Sequence, residues 1–143
     1  YDVIHHTEFL NELIENGKIT TKKMNQKITY HDSCYLGRGN KIYEAPRHII
    51  TSISKNLVEM KRSKEKGLCC GAGGAQIFKE SENGSAEINI ERINEVESST
   101  AETVISACPF CLTMINDGIK EKELDSKIKV KDIIEFLEEN MNH

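Results

Sequence analysis

Apolar residues in this chain recur with two periods, one helical and one extended. Phe9, Leu10, Leu13 and Ile14 fall at helical spacing, so His5 to Asn16 reads as a helix with Thr7 as its N-cap and Gly17 as its stop. Polar positions 18–26 link it to a short strand, Lys27 to His31, and Asp32-Ser33-Cys34 leaves that strand at its carboxyl end. Gly37 and Gly39 predict a loop, Pro46 opens a helix to about Lys55 with Ile49, Ile50 and Ile53 facing inward, and Leu57 to Met60 reads as a second short strand. A segment through Glu80 ends in a break at Asn83-Gly84. Ile90, Ile93 and Val96 on one face predict a helix over Ala86 to Ser98. The β-branched run Thr103 to Ala107 predicts a strand that delivers Cys108. Pro109 suits the first turn of a helix that continues through Leu112, Ile115 and Ile119 to about Glu121. Lys127 to Lys131 is a last strand, and Ile133, Ile134 and Leu137 mark a closing helix.

Strands that alternate with helices predict an α/β fold, a parallel-containing sheet flanked by helices in a single domain. The carboxyl ends of parallel strands lie along one edge, where α/β proteins place functional groups. Cys34 and Cys108 are therefore expected on the same edge, although they stand far apart in the chain.

Composition narrows the function classes. The 143 residues suffice for one buried core, and 38% hydrophobic with 29% charged residues suits a soluble chain. A formal charge of -4 gives no reason to expect nucleic acid. No apolar run approaches the ~20 residues that span a bilayer, and no signal peptide is visible, which predicts a cytoplasmic setting. The first residue is Tyr1, so the chain reads as a domain of a longer protein. The basic run Lys61-Arg62-Ser63-Lys64-Glu65-Lys66 reads as a solvated loop, with a docking patch for an acidic partner as the alternative.

The cysteines change the picture most. There are five, spaced C-x34-C-C-x37-C-x2-C: Cys34, Cys69, Cys70, Cys108 and Cys111. An odd number satisfies no intramolecular disulfide framework, and clustered cysteines without a secretion signal point to metal or redox chemistry. Adjacent side chains diverge in regular structure, so Cys69 and Cys70 reach one centre only on an irregular backbone. The glycines of Cys69-Cys70-Gly71-Ala72-Gly73-Gly74 supply one, and their amides can face an anion. Cys108-Pro109-Phe110-Cys111 alone fits a thioredoxin-type redox pair or two metal ligands, since a helix start lowers thiol pKa. A zinc site needs four ligands, and iron–sulfur clusters, with several iron atoms, accept more varied spacing. Five buried core cysteines are the plain alternative, which the glycine-rich setting of the vicinal pair disfavours.

Cys34, Cys69-Cys70-Gly71 and Cys108-Pro109-Phe110-Cys111 resemble the cysteine-rich CCG domain. That domain occurs in the B and D components of heterodisulfide reductase, in iron–sulfur subunits of glycolate oxidase, lactate utilisation and anaerobic glycerol-3-phosphate dehydrogenase, and in membrane electron-transfer-flavoprotein:quinone oxidoreductases. The resemblance covers roughly residues 1–138. Tyr30 to Arg38, Tyr43 to Arg47, Cys69 to Gly74, Ile88 to Arg92 and Ala107 to Met114 are most similar to the heterodisulfide reductase D and flavoprotein–quinone branch. Ser33 departs from the proline usual before the first cysteine, which loosens a turn but removes no ligand. Ferredoxin-like C-x2-C-x2-C-x3-C-P runs and a second CCG motif are absent from these residues.

The resemblance implies that residues 1–143 form a CCG cluster-binding domain in the C-terminal part of a longer oxidoreductase. It implies a cluster ligated by Cys34, Cys69, Cys70, Cys108 and Cys111, a 4Fe–4S group of noncubane form, with zinc as the alternative cofactor. Implied partners are a ferredoxin-like domain and a flavoprotein of one electron-transfer complex, with membrane association only through the parent protein. Electron relay, disulfide reduction at the cluster and zinc-stabilised docking all stay open. His31 reads as a histidine that hydrogen-bonds beside the site or protonates a leaving thiolate. His5 and His6 read as surface groups near an inter-domain seam. Arg38 and Arg47 read as salt-bridge or docking residues, Arg38 also as an offset to cluster charge. Arg92 reads as a surface or salt-bridge group without a chemical role.

Overall fold

The structure is a computed structural model, and it describes residues 1–80 and 83–143. Three strands, β1 (Ile28–His31), β2 (Thr103–Ser106) and β3 (Lys129–Asp132), form a parallel sheet in the order β1-β2-β3. Ile28 stands opposite Thr103, and His31 is level with Ser106. Five helices surround them: α1 (His6–Glu15), α2 (Glu44–Ile53), α3 (Ile88–Ser99), α4 (Pro109–Glu121) and α5 (Ile133–Asn140).

Side chains alternate across a strand, and β2 shows the consequence. Ile105 packs with Ile28, Tyr30, α2 and α5 in one core, whereas Val104 packs with α3 and α4 in the other. Ile49, Ile50 and Ile53 of α2 are completely buried. Each such side chain contributes roughly 1.5–3 kcal/mol relative to leaving it exposed. Among the described residues no helix is long and apolar enough to cross a membrane.

The predicted alternation holds, with local differences that have identifiable causes. His5, not Thr7, caps α1, because its ring accepts the Thr7 amide while Glu8 reaches back to the His5 amide. The run Leu57 to Met60 is no strand. It touches β1 through one parallel bridge, Ile28 to Leu57, before Met60 turns into the α3/α4 core. α2 begins two residues before Pro46, and α3 begins at Ile88 rather than Ala86. The Gly37 loop is a single wide helical turn, Tyr35–Gly39, and a Cβ on Gly37 would stand 2.8 Å from the Tyr43 ring. β3 runs one residue further than expected, because Asp132 both ends it and caps α5.

Candidate metal centre

Two neighbouring strands end side by side, and each leads into cysteine chemistry. Beyond His31, β1 continues through Asp32 and Ser33 to Cys34; beyond Ser106, β2 continues through Ala107 to Cys108. The Ser106 hydroxyl donates to the His31 carbonyl at 3.1 Å and fastens the two ends. Cys108 is the extended residue before α4, Pro109 follows it, and Cys111 sits in the first turn.

The vicinal pair arrives on a turn that only glycine permits. Gly71 has φ +96°, and a Cβ there would meet Met114 Cε at 3.3 Å and the Asn89 backbone nitrogen at 3.5 Å. The turn is thus wedged between the starts of α3 and α4. Its amides face sulfur: the Gly71 N–H donates to Cys69 Sγ at 3.3 Å, and the Ala72 N–H donates to Cys70. Such bonds spread thiolate charge and hold the sulfurs in place.

The approach to this turn is pinned to the end of β1. Asp32 Oδ2 accepts the Lys64 amide at 2.8 Å, and Arg38 Nη2 donates to the Gly67 carbonyl at 2.6 Å. Asp32 is itself gripped by Arg47 through two bonds of 2.8 Å, and Glu59 takes the other edge of that guanidinium. Arg47 is therefore a salt-bridge residue, one of its two expected roles. Arg62 pairs with Glu91 and Glu95, and Lys64 pairs with Glu44. Two members of the basic run are spent within the molecule.

Cys34, Cys69, Cys70 and Cys111 line one cavity together with His31 and Asp32. Cys108 joins the group through its interaction with Cys111. Cys70 and Cys111 are buried, Cys69 and Cys108 half-buried, and Cys34 exposed. A ring nitrogen of His31 and the sulfurs of Cys70 and Cys111 lie within 4.8 Å of one another. A hydrogen bond from Cys111 holds the Cys70 thiol far below its ordinary value, helped by His31 and the Ala72 amide against burial. The same bond, with burial, pushes Cys111 up. Burial keeps His31 below its usual value, with the bond to Cys70 opposing this and the Arg92 charge acting in the same direction.

Arg92 is a salt-bridge residue, paired with Glu95 at 2.8 Å, but not a surface one. It is completely buried, and its Nε donates to His31 Nδ1 at 2.9 Å. The signal was spacing: Arg92 lies three residues after Asn89 and four before Val96, on the row of α3 that faces inward. His5 and His6 stand half-buried at the start of α1 with ring centres 4.0 Å apart.

The donor set suits a soft, thiophilic centre of net negative charge. Thiols dominate it, two of the sulfurs already accept amides, and the buried Arg92 keeps an Nη2 without a partner among the described residues. The carboxylate at the cavity, Asp32, is committed to Arg47, so a hard oxygen-ligated cation fits poorly.

Comparison with known proteins agrees with this chemistry. The model of the family described as CCG, cysteine-rich domain, matches residues 28–116. The chain is 44% identical to the "Probable iron-sulfur-binding oxidoreductase FadF" of Bacillus subtilis, covering 98% of this chain and 20% of that protein. It is 40% identical to the "EtfAB:quinone oxidoreductase" of Syntrophomonas wolfei, covering 96% of this chain and 20% of that protein. It is also 40% identical to the D component of the "Dihydromethanophenazine:CoB--CoM heterodisulfide reductase" of Methanosarcina barkeri, covering 97% of this chain and 34% of that component. The chain thus spans a fifth to a third of the length of these relatives.

Proposed function

The chain belongs to the CCG cysteine-rich domain family, and from that premise we propose that it holds an iron–sulfur cluster for one-electron transfer inside a larger oxidoreductase. The observation that carries this reading is one cavity lined by four of the five cysteines. Cys34, Cys69, Cys70 and Cys111 share a cavity, and Cys108 interacts with Cys111. These five would hold the cluster. Their number exceeds the four thiolates of a cubane and favours a noncubane 4Fe–4S group. When bound, the cluster supplies one-electron storage at a potential set by its surroundings. The chain's own part is to fix the sulfurs on two strand ends and a glycine turn, and to aim amides at them.

The partners in this reading are a ferredoxin-like domain and a flavoprotein, in keeping with the electron-transfer names of the relatives and with the small share of their length that this chain spans. The setting is cytoplasmic, with any membrane contact made by the rest of the protein. Reduction of a disulfide is the catalytic form of the same reading, favoured by the exposure of Cys34 and Tyr35 at one side of the site. A zinc-stabilised docking domain is the second reading. It is favoured by the His31, Cys70 and Cys111 trio, whose 4.8 Å compass suits a single ion. Anaerobic purification of the full-length protein, followed by iron, zinc and sulfide analysis, separates the two. We expect iron and sulfide in equal amounts without zinc; stoichiometric zinc without sulfide would replace the cluster by the zinc site.

A further inference from the structure

Arg92 meets an imidazole where a buried arginine ordinarily meets a carboxylate. Nε donates to His31 Nδ1 at 2.9 Å, and Nη1 donates to the Arg62 carbonyl and to Glu95 Oε2, both at 2.8 Å. An arginine side chain carries donors and no acceptor. His31 Nδ1 must therefore present its lone pair. In the neutral ring the proton then sits on Nε2, the nitrogen left to face the Cys70 sulfur, which lies within 4.8 Å of a ring nitrogen. Strand parity fixes this orientation: Ile28 and Tyr30 belong to the α2/α5 core, so His31 emerges on the face that α3 covers.

We propose that Arg92 is a positioning residue that locks His31 as the Nε2–H tautomer, making it a hydrogen-bond donor to the Cys70 sulfur and not a metal ligand. A donor aimed at a ligating thiolate withdraws charge from it and stabilises the more negative, reduced form of the centre. The reversed tautomer would turn a lone pair toward the sulfur and offer that nitrogen to a metal, as histidine does in mixed cysteine–histidine zinc sites. Arg92 thus tunes potential and keeps the donor set all-sulfur. The effect on potential rests on the cluster reading above; the tautomer and the exclusion of His31 from the ligands do not.

The test has one arm for each part. Nitrogen NMR of the full-length protein labelled with ¹⁵N-histidine, metal-free, reads the tautomer directly. We expect His31 protonated on Nε2 and bare on Nδ1; the opposite assignment would overturn the proposal without any variant. In the anaerobically loaded protein, Arg92→Met and His31→Phe should each lower the midpoint potential, by about a tenfold change in the reduction constant, or ~59 mV for one electron. Arg92→Lys, which keeps a donor to Nδ1, should stay nearer the parent value. The Arg92→Met/His31→Phe double variant should fall no further than His31→Phe alone, because Arg92 acts through the ring. Additive shifts would mean that Arg92 acts only as a buried charge, and would overturn it. If the purified protein holds zinc, the cluster reading has failed and the metal content of His31→Phe decides this one. Retained zinc upholds the all-sulfur site, and lost zinc makes His31 a ligand.

Discussion

Arg47 and Arg92 are both buried on helices that cover β1, one on each face, and their surroundings could hardly differ more. Arg47 spends every nitrogen on an acceptor: Asp32 twice, Glu59 twice and the Tyr43 carbonyl, with its guanidinium 5.3 Å from the centre of the Tyr30 ring. Arg92 is divided between an imidazole ring, a carbonyl and one oxygen of Glu95, and among the described residues its Nη2 has no partner. Buried polar groups are normally satisfied, so the complete set at Arg47 belongs to architecture and the incomplete set at Arg92 to the site. Arg47 clamps the end of β1, from which the approach to the CCG turn hangs through Asp32 and Lys64. Arg92 reaches the cysteines through one histidine.

The largest expected effect lies on the Arg47 side. Arg47→Met leaves Asp32 buried with an uncompensated charge, and breaking such a pair costs about 3–5 kcal/mol. Urea unfolding followed by circular dichroism should show that loss in the metal-free chain. Arg92→Met should cost clearly less, about 1–3 kcal/mol, because Glu95 keeps Arg62 and an orphaned donor leaves with the side chain. Equal losses at the two positions would erase the distinction between them.

A smaller effect separates the two regions by pH. Burial pushes the Glu95 carboxyl up, but the Arg62 hydrogen bonds and the charges of Arg92 and Arg62 outweigh it and hold the group below 4.5. The folded chain therefore binds the Glu95 proton less readily than the unfolded chain. Its stabilising contribution is present above about pH 4.5 and is lost as pH falls through the lowered value. Stability measured from pH 6 to pH 3 should fall less steeply in Glu95→Gln than in the parent. Smallest of all, Lys64→Ala removes an exposed pair with Glu44 and should change stability by less than about 1 kcal/mol, because the Lys64 contact that holds the turn is its backbone amide.

The elements that build the α2/α5 core could be read from sequence because apolar spacing alone specifies them. Ile49, Ile50 and Ile53 lie where the helical period put them, and β2 and α4 deliver Cys108 and Cys111 as Thr103 to Ala107 and Pro109 foretold. The glycine turn was visible because vicinal cysteines need irregular backbone, and Gly71 at φ +96° meets that need. What escaped was polar and long-range. Arg92 carries a charge on an inward row, and pattern reading assigns charge to the surface unless a partner 61 positions away is known. In the sequence Asp32 reads only as a neighbour of Cys34, yet it joins Arg47 and the Lys64 amide, contacts that only the folded chain brings together. Leu57 to Met60 failed as a strand because one bridge to Ile28 uses up its pairing before Met60 enters the other core.

In the proposed centre all five cysteines serve one cluster, and single Cys→Ser variants of the full-length protein, prepared anaerobically, decide whether they do. A four-ligand zinc or cubane site leaves one cysteine dispensable. A centre that uses all five tolerates no loss, since serine replaces thiolate on iron poorly. Visible absorption, iron and sulfide should fall in each of Cys34→Ser, Cys69→Ser, Cys70→Ser, Cys108→Ser and Cys111→Ser, most severely for the last two, which anchor one end of the site from a single helix start. One variant that keeps the full iron, sulfide and spectrum of the parent would contradict the five-cysteine centre.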